Sequence, residues 1–170
     1  MQIIVAPDSR LNKISEKVEV IDNSILSILD EMLECMYKNN GIGLAAPQVG
    51  ILKRLIVIDC SDNKDIKKPF KFINPEIIKS SKNVSEFEEG CLSLPSQYAK
   101  VYRPSTITLK YESIEGLICE KEFIGIESTC IQHEIDHLNG KLFVDHISKL
   151  KKNIIIKKLI KLKKKNTKYE

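Results

Sequence analysis

The segment HEIDH, residues 133–137, most constrains what this chain can fold into. On a helix its two histidines lie one turn apart on the same face, where both can hold one metal ion with the glutamate beside them. Apolar residues recur at helical spacing over residues 126–138, and the Asn-Gly pair at 139–140 is suited to ending a helix. We therefore predict a metal-binding helix here, with Glu127 or Ser128 capping its start.

A catalytic zinc-type site needs three protein ligands and one open position for water, so a third ligand must come from elsewhere in the chain. Metzincin peptidases place another histidine six residues after the second one, but Phe143 occupies that position here and cannot bind a metal. Cys91 is the alternative, because a flanking glycine and proline predict a tight, exposed turn around it. A thiolate and two neutral imidazoles, from Cys91, His133 and His137, suit Fe(II), Zn(II), Co(II) or Ni(II).

Three classes of function remain open from these residues. An HExxH metallopeptidase would use the same glutamate, although it would lack its usual third histidine. A metal that only stabilises a binding module would usually take four protein ligands, whereas only three are evident here. The third class is a metal-dependent amide hydrolase of another kind, and three ligands beside Glu134 favour it. His146 falls outside the helical spacing and is expected to be structural or solvated.

The rest of the chain shows both helical and strand patterns. Residues 22–39 carry an apolar stripe at 3.6-residue spacing after capping candidates Asp22 and Asn23, and predict an amphipathic helix. The segment GIGLAAPQVG after it is expected to be a loop. Short β-branched and apolar runs predict antiparallel strands, the last two joined as a hairpin, at residues 55–58, 72–78, 106–111 and 117–123. This order indicates an α+β fold with mainly antiparallel sheets around the HEIDH helix.

The charge of the chain is concentrated at its C-terminal end. Residues 149–170 hold ten lysines and one glutamate, a net charge of +9 in a chain whose total is +4, which leaves −5 for the body. We therefore expect no DNA partner for the body. Six apolar residues predict a helix that packs on the body and exposes its lysines: Leu150, Ile154, Ile155, Leu159, Ile160 and Leu162. The catalytic domain is predicted at residues 1–148, and this basic helix or tail, residues 149–170, is predicted to belong to the same domain.

Length and composition favour one domain in a reducing compartment. A chain of 170 residues with 42% hydrophobic content can bury one sizeable core. It has neither a membrane-length apolar stretch nor a signal-peptide pattern, so we expect a cytoplasmic protein with no membrane partner. Five cysteines without CxxC spacing fit that location. Four of them lie among apolar residues and are expected to be buried: Cys35, Cys60, Cys119 and Cys130.

Three segments resemble the signature segments of peptide deformylases. They are GIGLAAPQ at residues 41–48, EGCLS at residues 89–93 and QHEIDH at residues 132–137, and they occur in the family's order and at similar separations. The resemblance extends from the first helix to about Ser148. It implies an α+β metalloenzyme that removes the formyl group from the N-terminal formyl-methionine of newly made proteins. The metal would be held by the same three ligands, and Fe(II) is the usual ion.

The resemblance also implies catalytic roles. The ion would lower the pKa of its bound water to give hydroxide, and Glu134 would take that proton and return it to the departing amine. The side-chain amide of Gln48 and the backbone N–H of Leu92 would stabilise the oxyanion formed from the formyl oxygen.

The resemblance implies substrate contacts of two kinds, with the peptide backbone and with the methionine side chain. An extended nascent peptide could bind as an added strand along Ile42, Gly43 and Leu44. The methionine pocket is expected to be lined by Ile42, Phe87, Ile126, Cys130 and His133. Glu89, beside Gly90, would be partly buried and needs a partner, for which Arg103 is the candidate. Because nascent chains emerge from the ribosome, we expect the C-terminal lysines to approach ribosomal RNA.

Overall fold

The chain forms an α+β structure of three helices and two antiparallel sheets within residues 1–62 and 66–166, which the computed structural model describes. The helices are α1 (Asn23–Lys38), α2 (Gly125–Leu138) and α3 (Lys149–Asn166). The strands are β1 (Gly43–Ala45), β2 (Leu55–Ile58), β3 (Phe70–Ser80), β4 (Val84–Cys91), β5 (Leu94–Pro104), β6 (Thr106–Glu112) and β7 (Ile118–Ile124). Two short 3₁₀ helices lie at Ala46–Val49 and Phe143–His146.

The larger sheet is covered by a helix on each face. Its strand order is β1-β2-β3-β6-β7, which leaves β1 at one edge, and β4 and β5 form a separate hairpin. Alternate residues of β2 point to opposite faces: Leu55 and Val57 pack with α1, whereas Ile56 and Ile58 pack with α2. Because both faces are covered, all four residues of β2 are buried.

Helices α1 and α2 are present as predicted, but only α1 begins with the predicted cap. Asp22 caps α1 by accepting hydrogen bonds from the backbone N–H groups of Ser24 and Ile25. Helix α2 instead follows Ile124 with no side-chain cap. Ser128, predicted as a cap, is buried inside α2, and its hydroxyl donates to the carbonyl of Pro104. The cap prediction for α2 is therefore wrong, while its predicted end at residue 139 is confirmed.

Two segments predicted to be loops contain strands. Part of GIGLAAPQVG forms the edge strand β1, which pairs with β2, and then a 3₁₀ turn. The predicted turn near Cys91 exists only between β4 and β5, and Cys91 itself ends β4 and is partly buried. The predicted hairpin of β6 and β7 is present, with Ile107 opposite Phe123.

Helix α3 contacts the body through fewer residues than predicted. Ile155 and Leu159 are buried in one apolar cluster with Phe143, Leu142 and Val144, and the partly buried Ile156 packs against it. Four members of the predicted stripe are exposed instead: Leu150, Ile154, Ile160 and Leu162. The last four residues of the predicted tail, 167–170, lie outside the described part of the chain.

Two of the four cysteines expected to be buried are only partly so. Cys35 and Cys130 are buried, as predicted, but Cys60 and Cys119 are partly exposed. Cys119 lies on β7, which is the edge strand of the larger sheet among the described residues. Among the described helices, none is both long and apolar enough to cross a membrane.

Candidate metal centre

Cys91, His133 and His137 come together where β4 ends against α2. One ligand atom from each of the three lies within 4.8 Å of the others. The sulfur of Cys91 is 3.2 Å from Nε2 of His137, and the two imidazole centroids are 5.0 Å apart. Both histidines are buried and Cys91 is partly exposed. Residues separated by up to 46 positions in the sequence thus form one cluster of possible metal donors.

Buried hydrogen bonds fix the ring of His133. Its Nδ1 lies 2.8 Å from Oε2 of Glu89, which leaves Nε2 free to bind a metal. Arg103 holds Glu89 through two hydrogen bonds, of 2.5 Å from Nε and 3.0 Å from Nη2. Burial alone would raise the pKa of Glu89, but hydrogen bonds from His133 and Arg103 outweigh it and lower the pKa. The predicted Glu89–Arg103 ion pair is therefore present, and both residues stay charged.

The same arginine continues the network to the surface. Nη1 of Arg103 donates to Oδ2 of Asp136 at 2.8 Å, and Nε2 of His146 lies 2.7 Å from that oxygen. His146, expected to be structural or solvated, thus has a structural contact. Phe143, which the metzincin pattern would require to be a ligand, stacks on His133 with ring centroids 6.2 Å apart.

The carboxyl group of Glu134 is buried beside the possible ligands. Glu134 is 4% exposed, and its Oε2 has no hydrogen-bond partner among the described residues. Burial raises its pKa to about 7. The backbone of Gly43 passes so close that an added Cβ would lie 2.5 Å from Oε1 of Glu134 and 2.7 Å from the sulfur of Cys130. Glycine at position 43 therefore leaves the room that this carboxyl needs.

His137 has the protonation state that metal binding requires. Burial lowers the pKa of His137 well below its usual value, and the nearby His133 lowers it further. Its imidazole is therefore neutral at pH 7, which is the form in which histidine binds a metal. Its Nδ1 is buried without a hydrogen-bond partner among the described residues. The donor set of one cysteine and two histidines thus fits a divalent metal of the Fe(II) to Zn(II) type.

Gln48 directs its side-chain amide at the same centre. Its Oε1 accepts a hydrogen bond of 2.8 Å from the backbone N–H of Ala45, which sets the direction of the NH₂ group. That group lies 3.4 Å from the sulfur of Cys91 and 3.3 Å from the hydroxyl of Ser93. Ser93 was not predicted as a site residue, although its place as the last residue of EGCLS could have indicated it.

A cleft of about 590 Å³ opens onto the centre. Its lining includes every residue predicted for the methionine pocket and most of the other predicted site residues: Ile42, Gly43, Gln48, Phe87, Glu89, Gly90, Cys91, Leu92, Ile126, Cys130, His133 and Glu134. Leu44 differs, because its side chain is fully buried in the core against α1 and only its backbone lies at the sheet edge. Ile126 is 42% exposed, so its side chain is not part of the hydrophobic core.

Several lining residues were not predicted as site residues, and Thr129 is one of them. It lies on α2 four positions before His133, so the helical spacing that groups 126, 130 and 133 could have found it. Tyr98 lies on β5 and also lines the cleft, because β5 pairs with β4.

A sequence model of the polypeptide deformylase family matches residues 1–153. The chain belongs to the polypeptide deformylase family. The deformylases are metal-dependent hydrolases that remove the formyl group from nascent formyl-methionine peptides, so this chain is an enzyme of that class. The resemblance noted from the three sequence segments is confirmed.

Individual deformylases resemble this chain over nearly its whole length. The peptide deformylase of Rhizobium meliloti is 49% identical over 162 residues, which covers 95% of this chain and 93% of the relative. That of Agrobacterium fabrum is 48% identical and covers 94% of each chain. The crystal structure of peptide deformylase from Ehrlichia chaffeensis superposes with a TM-score of 0.92 at 37% identity and covers 98% of both chains.

Proposed function

We propose that this enzyme hydrolyses the formyl amide of N-terminal formyl-methionine at a metal held by Cys91, His133 and His137. The convergence of these three donors within 4.8 Å carries the proposal, and two of them, Cys91 and His133, line the cleft. Three ligands leave an open position for water, as hydrolysis requires. We expect Fe(II) to be the physiological ion, with Zn(II), Ni(II) or Co(II) able to replace it, because this donor set suits all four. When bound, such an ion supplies an activated water and polarises the formyl carbonyl.

Glu134 is the proton carrier in this proposal. Its buried Oε2 lacks a hydrogen-bond partner among the described residues and is therefore available to a water at the centre. Its carboxylate accepts the proton of the attacking water and then donates it to the nitrogen of the departing methionine. That nitrogen must be protonated, because an amide anion is a very poor leaving group.

Gln48 and Leu92 stabilise the negative charge that develops on the formyl oxygen. The amide of Gln48 is held by Ala45 and points toward Cys91, so little reorganisation is needed when the oxyanion forms. Leu92 directly follows Cys91 and offers its backbone N–H from the turn between β4 and β5. Removal of one such donor typically lowers kcat about 100-fold to 1000-fold.

The methionyl peptide binds as an extended strand along the cleft. Strand β1 is an edge of the larger sheet, and β4 pairs only with β5 among the described strands, so both line the cleft with a free edge. The backbone of Ile42, Gly43 and Leu44 and that of Glu89 and Gly90 can bind the peptide by strand addition. The methionine side chain then enters the space lined by Ile42, Phe87, Ile126, Cys130 and His133.

Hydrolysis of formyl-Met-Ala-Ser beside acetyl-Met-Ala-Ser tests the proposal. Anaerobically prepared enzyme with its metal content measured should release formate from the first peptide and leave the second almost uncleaved, because the space at the metal must admit only a small acyl group. The alternative is an HExxH metallopeptidase. Cleavage of the Met-Ala bond, with no formate released, would support that alternative and reject the deformylase.

The basic helix is proposed to bring the enzyme to its substrate. Helix α3 buries Ile155 and Leu159 against the body and exposes Lys157, Lys158 and Lys161. Phosphate attraction to ribosomal RNA near the nascent-chain exit would speed encounter. In this proposal, residues 1–148 carry catalysis, residues 149–170 extend the same domain, and the enzyme acts in the cytoplasm, where nascent chains emerge.

A further inference from the structure

Two cysteines, Cys60 and Cys130, lie close together where the end of β2 meets α2. Cys130 belongs to the buried apolar cluster between the larger sheet and α2, and Cys60 packs against that cluster. The backbone carbonyl of Ile42 accepts hydrogen bonds from the N–H of Asp59 at 2.8 Å and from the thiol of Cys130 at 3.6 Å. The residue before Cys60 and the thiol of Cys130 therefore bind the same oxygen atom. The two thiols also hydrogen-bond to each other.

The side chain of Asp59 fixes the backbone on both sides of Cys60. Its carboxylate accepts hydrogen bonds from the backbone N–H groups of Ser61 at 3.0 Å and Lys68 at 3.2 Å. Tyr37, on α1, donates its hydroxyl to the same carboxylate at 2.6 Å. Asp59 is itself buried, so water does not compete strongly for these contacts. Together they hold Cys60 in position.

The two thiols differ in their access to solvent. Cys60 is partly exposed, whereas Cys130 is buried. The hydrogen bond with Cys60 and burial raise the pKa of the Cys130 thiol well above its usual value, so this thiol stays protonated at pH 7. A dissolved oxidant therefore reaches Cys60 first, because the oxidation of a thiol depends on its exposure. Cys130 is then the neighbouring thiol that can react with the oxidised sulfur.

We propose that Cys60 and Cys130 form a reversible disulfide when the enzyme meets hydrogen peroxide, and that this bond weakens binding in the methionine pocket. The effect on the pocket rests on the proposed function, since it takes the methionine side chain to lie beside Cys130. The formation of the disulfide does not depend on that function.

The oxidation takes two steps and releases two water molecules. The sulfur of Cys60 attacks one oxygen of the peroxide, the O–O bond breaks, and the products are a sulfenic acid at Cys60 and water. The sulfur of Cys130 then attacks the sulfur of Cys60. The S–O bond breaks, and the hydroxyl leaves with the proton of the Cys130 thiol as the second water. Each sulfur loses one electron and the peroxide accepts both, and a dithiol such as dithiothreitol reverses the oxidation by exchange.

The disulfide changes the contacts of the Cys130 sulfur in the cleft. Cys130 lines the cleft, but Cys60 is not among the described lining residues, so a bond of about 2.05 Å draws the buried sulfur toward a residue outside the lining. The carbonyl of Ile42 then loses its thiol donor. An added Cβ on Gly43 would lie 2.7 Å from this sulfur, so its displacement also leaves a gap beside the strand along which the peptide is proposed to bind.

The test treats Ni(II)-loaded enzyme with hydrogen peroxide, because this ion is less readily oxidised than Fe(II). Catalase then removes the peroxide, free thiols are alkylated, and trypsin cleaves the unreduced protein. Residues 55–64 contain only Cys60 and residues 122–141 contain only Cys130, so mass spectrometry should find these two peptides linked.

Activity is measured on the same samples. KM for formyl-Met-Ala-Ser should rise on the order of tenfold, with a smaller change in kcat, because one altered contact in a hydrophobic pocket has an effect of this size. Dithiothreitol should restore the original KM and release the two peptides from each other.

Variants separate this pair from the other thiols. Cys60→Ser should keep the wild-type KM before oxidation, and it should show neither the linked peptides nor the reversible rise in KM. Cys119→Ser is the matched control, because Cys119 is also partly exposed but its thiol donates to the carbonyl of Leu117. It should respond like the wild type. In Cys130→Ser the sulfenic acid at Cys60 lacks its partner thiol, so dimedone should label residues 55–64.

The outcomes distinguish the disulfide, its effect and the proposed function. Wild-type enzyme whose peptides 55–64 and 122–141 stay unlinked after peroxide treatment would overturn the disulfide. Linked enzyme with an unchanged KM, or the same reversible rise in Cys60→Ser, would overturn the effect on the methionine pocket. Enzyme that forms the linked peptides but never hydrolyses formyl-Met-Ala-Ser, even before oxidation, would overturn the proposed function and support the disulfide alone.

Discussion

At the scale of single residues, the environment of Glu134 distinguishes a hydrolytic site from a purely structural one. A structural site has no need of a buried carboxyl with an unpartnered oxygen, which is costly unless a ligand or water satisfies it. Gly43 preserves this arrangement, because any larger residue would contact the carboxyl. The HEIDH pattern alone predicted the position of Glu134, but the role of Gly43 depends on how β1 crosses α2.

Glu134→Gln should keep its metal and lose activity. The amide has the same shape, and Glu134 is not one of the three clustered donors, so metal content should match the wild type. The loss of a general acid–base group should lower kcat by at least about 100-fold. Glu127→Gln, in the first turn of the same helix, is the control and should stay close to wild type. Activity that survives in Glu134→Gln with metal bound would assign the proton transfer to another group.

Arg103→Met should weaken both the fold and the metal site. The substitution leaves Glu89 buried without its cation, which should cost about 3–5 kcal/mol of unfolding free energy. It also releases the carboxylate that orients His133, so metal affinity should fall about 10-fold to 100-fold. Chemical denaturation and metal titration measure the two effects. Arg10→Met breaks an exposed ion pair with Asp8 and should change neither; equal effects in the two variants would rule out this role for Arg103.

At the scale of secondary structure elements, the sequence predicted what hydrophobic periodicity controls. Helix α1 and strand β2 follow an apolar pattern that matches their burial, and the β6–β7 hairpin follows a turn signal. Strand β4 was not predicted because three of its eight residues are glutamates, which are depleted in strands. One of these, Glu89, is buried, and only its contacts with Arg103 and His133 make that burial tolerable.

Helix α3 connects to the metal site through packing. Leu159 is 1% exposed and belongs to the cluster that includes Phe143, whose ring stacks on His133. Ile160, the next residue, is 37% exposed. The helical pattern predicted α3, but only the tertiary structure shows which residues it buries, because apolar residues lie around much of its circumference.

Leu159→Ala and Ile160→Ala form a matched pair for this element. Loss of the buried leucine should lower the free energy of unfolding by about 2–5 kcal/mol, because it leaves a cavity beside Phe143. Loss of the exposed isoleucine should cost less than about 1 kcal/mol. Urea denaturation of both proteins measures the difference. If the two variants are equally stable, α3 does not dock as the structure indicates.

At the scale of the whole molecule, opposite charges divide the chain between an acidic body and a basic C-terminal segment. Family, fold class and possible metal ligands could all be predicted from three short segments, because their residue types are tied to the chemistry. The wall of the cleft could not be predicted, because it combines residues of β1, β4, β5 and α2. The sequence of one such element does not determine how it packs against the others.

The basic helix should make ribosome binding sensitive to salt. A variant with four exposed lysines of α3 changed to glutamine should lose co-sedimentation with ribosomes, because each phosphate contact depends on a local positive charge. The substituted residues are Lys157, Lys158, Lys161 and Lys164. Hydrolysis of a short formyl peptide should stay near normal, since these residues are not among those that line the cleft.

A second variant tests whether location or total charge matters. It carries the same number of glutamine substitutions at exposed lysines of the body: Lys13, Lys17, Lys38 and Lys82. This protein has the same net charge as the α3 variant and should still bind ribosomes. Equal binding by both variants would show that the α3 lysines have only a solvating role.

The most direct test of the metal-dependent mechanism is a titration of metal-stripped enzyme with Co(II) under anaerobic conditions. Bound metal and hydrolysis of formyl-Met-Ala-Ser are measured on the same samples. We predict that activity rises linearly and stops at one ion per chain, together with a sulfur-to-cobalt absorption band that Cys91→Ala lacks. Full activity in the metal-free enzyme, or a Cys91→Ala protein that binds cobalt and works like the wild type, would contradict the account.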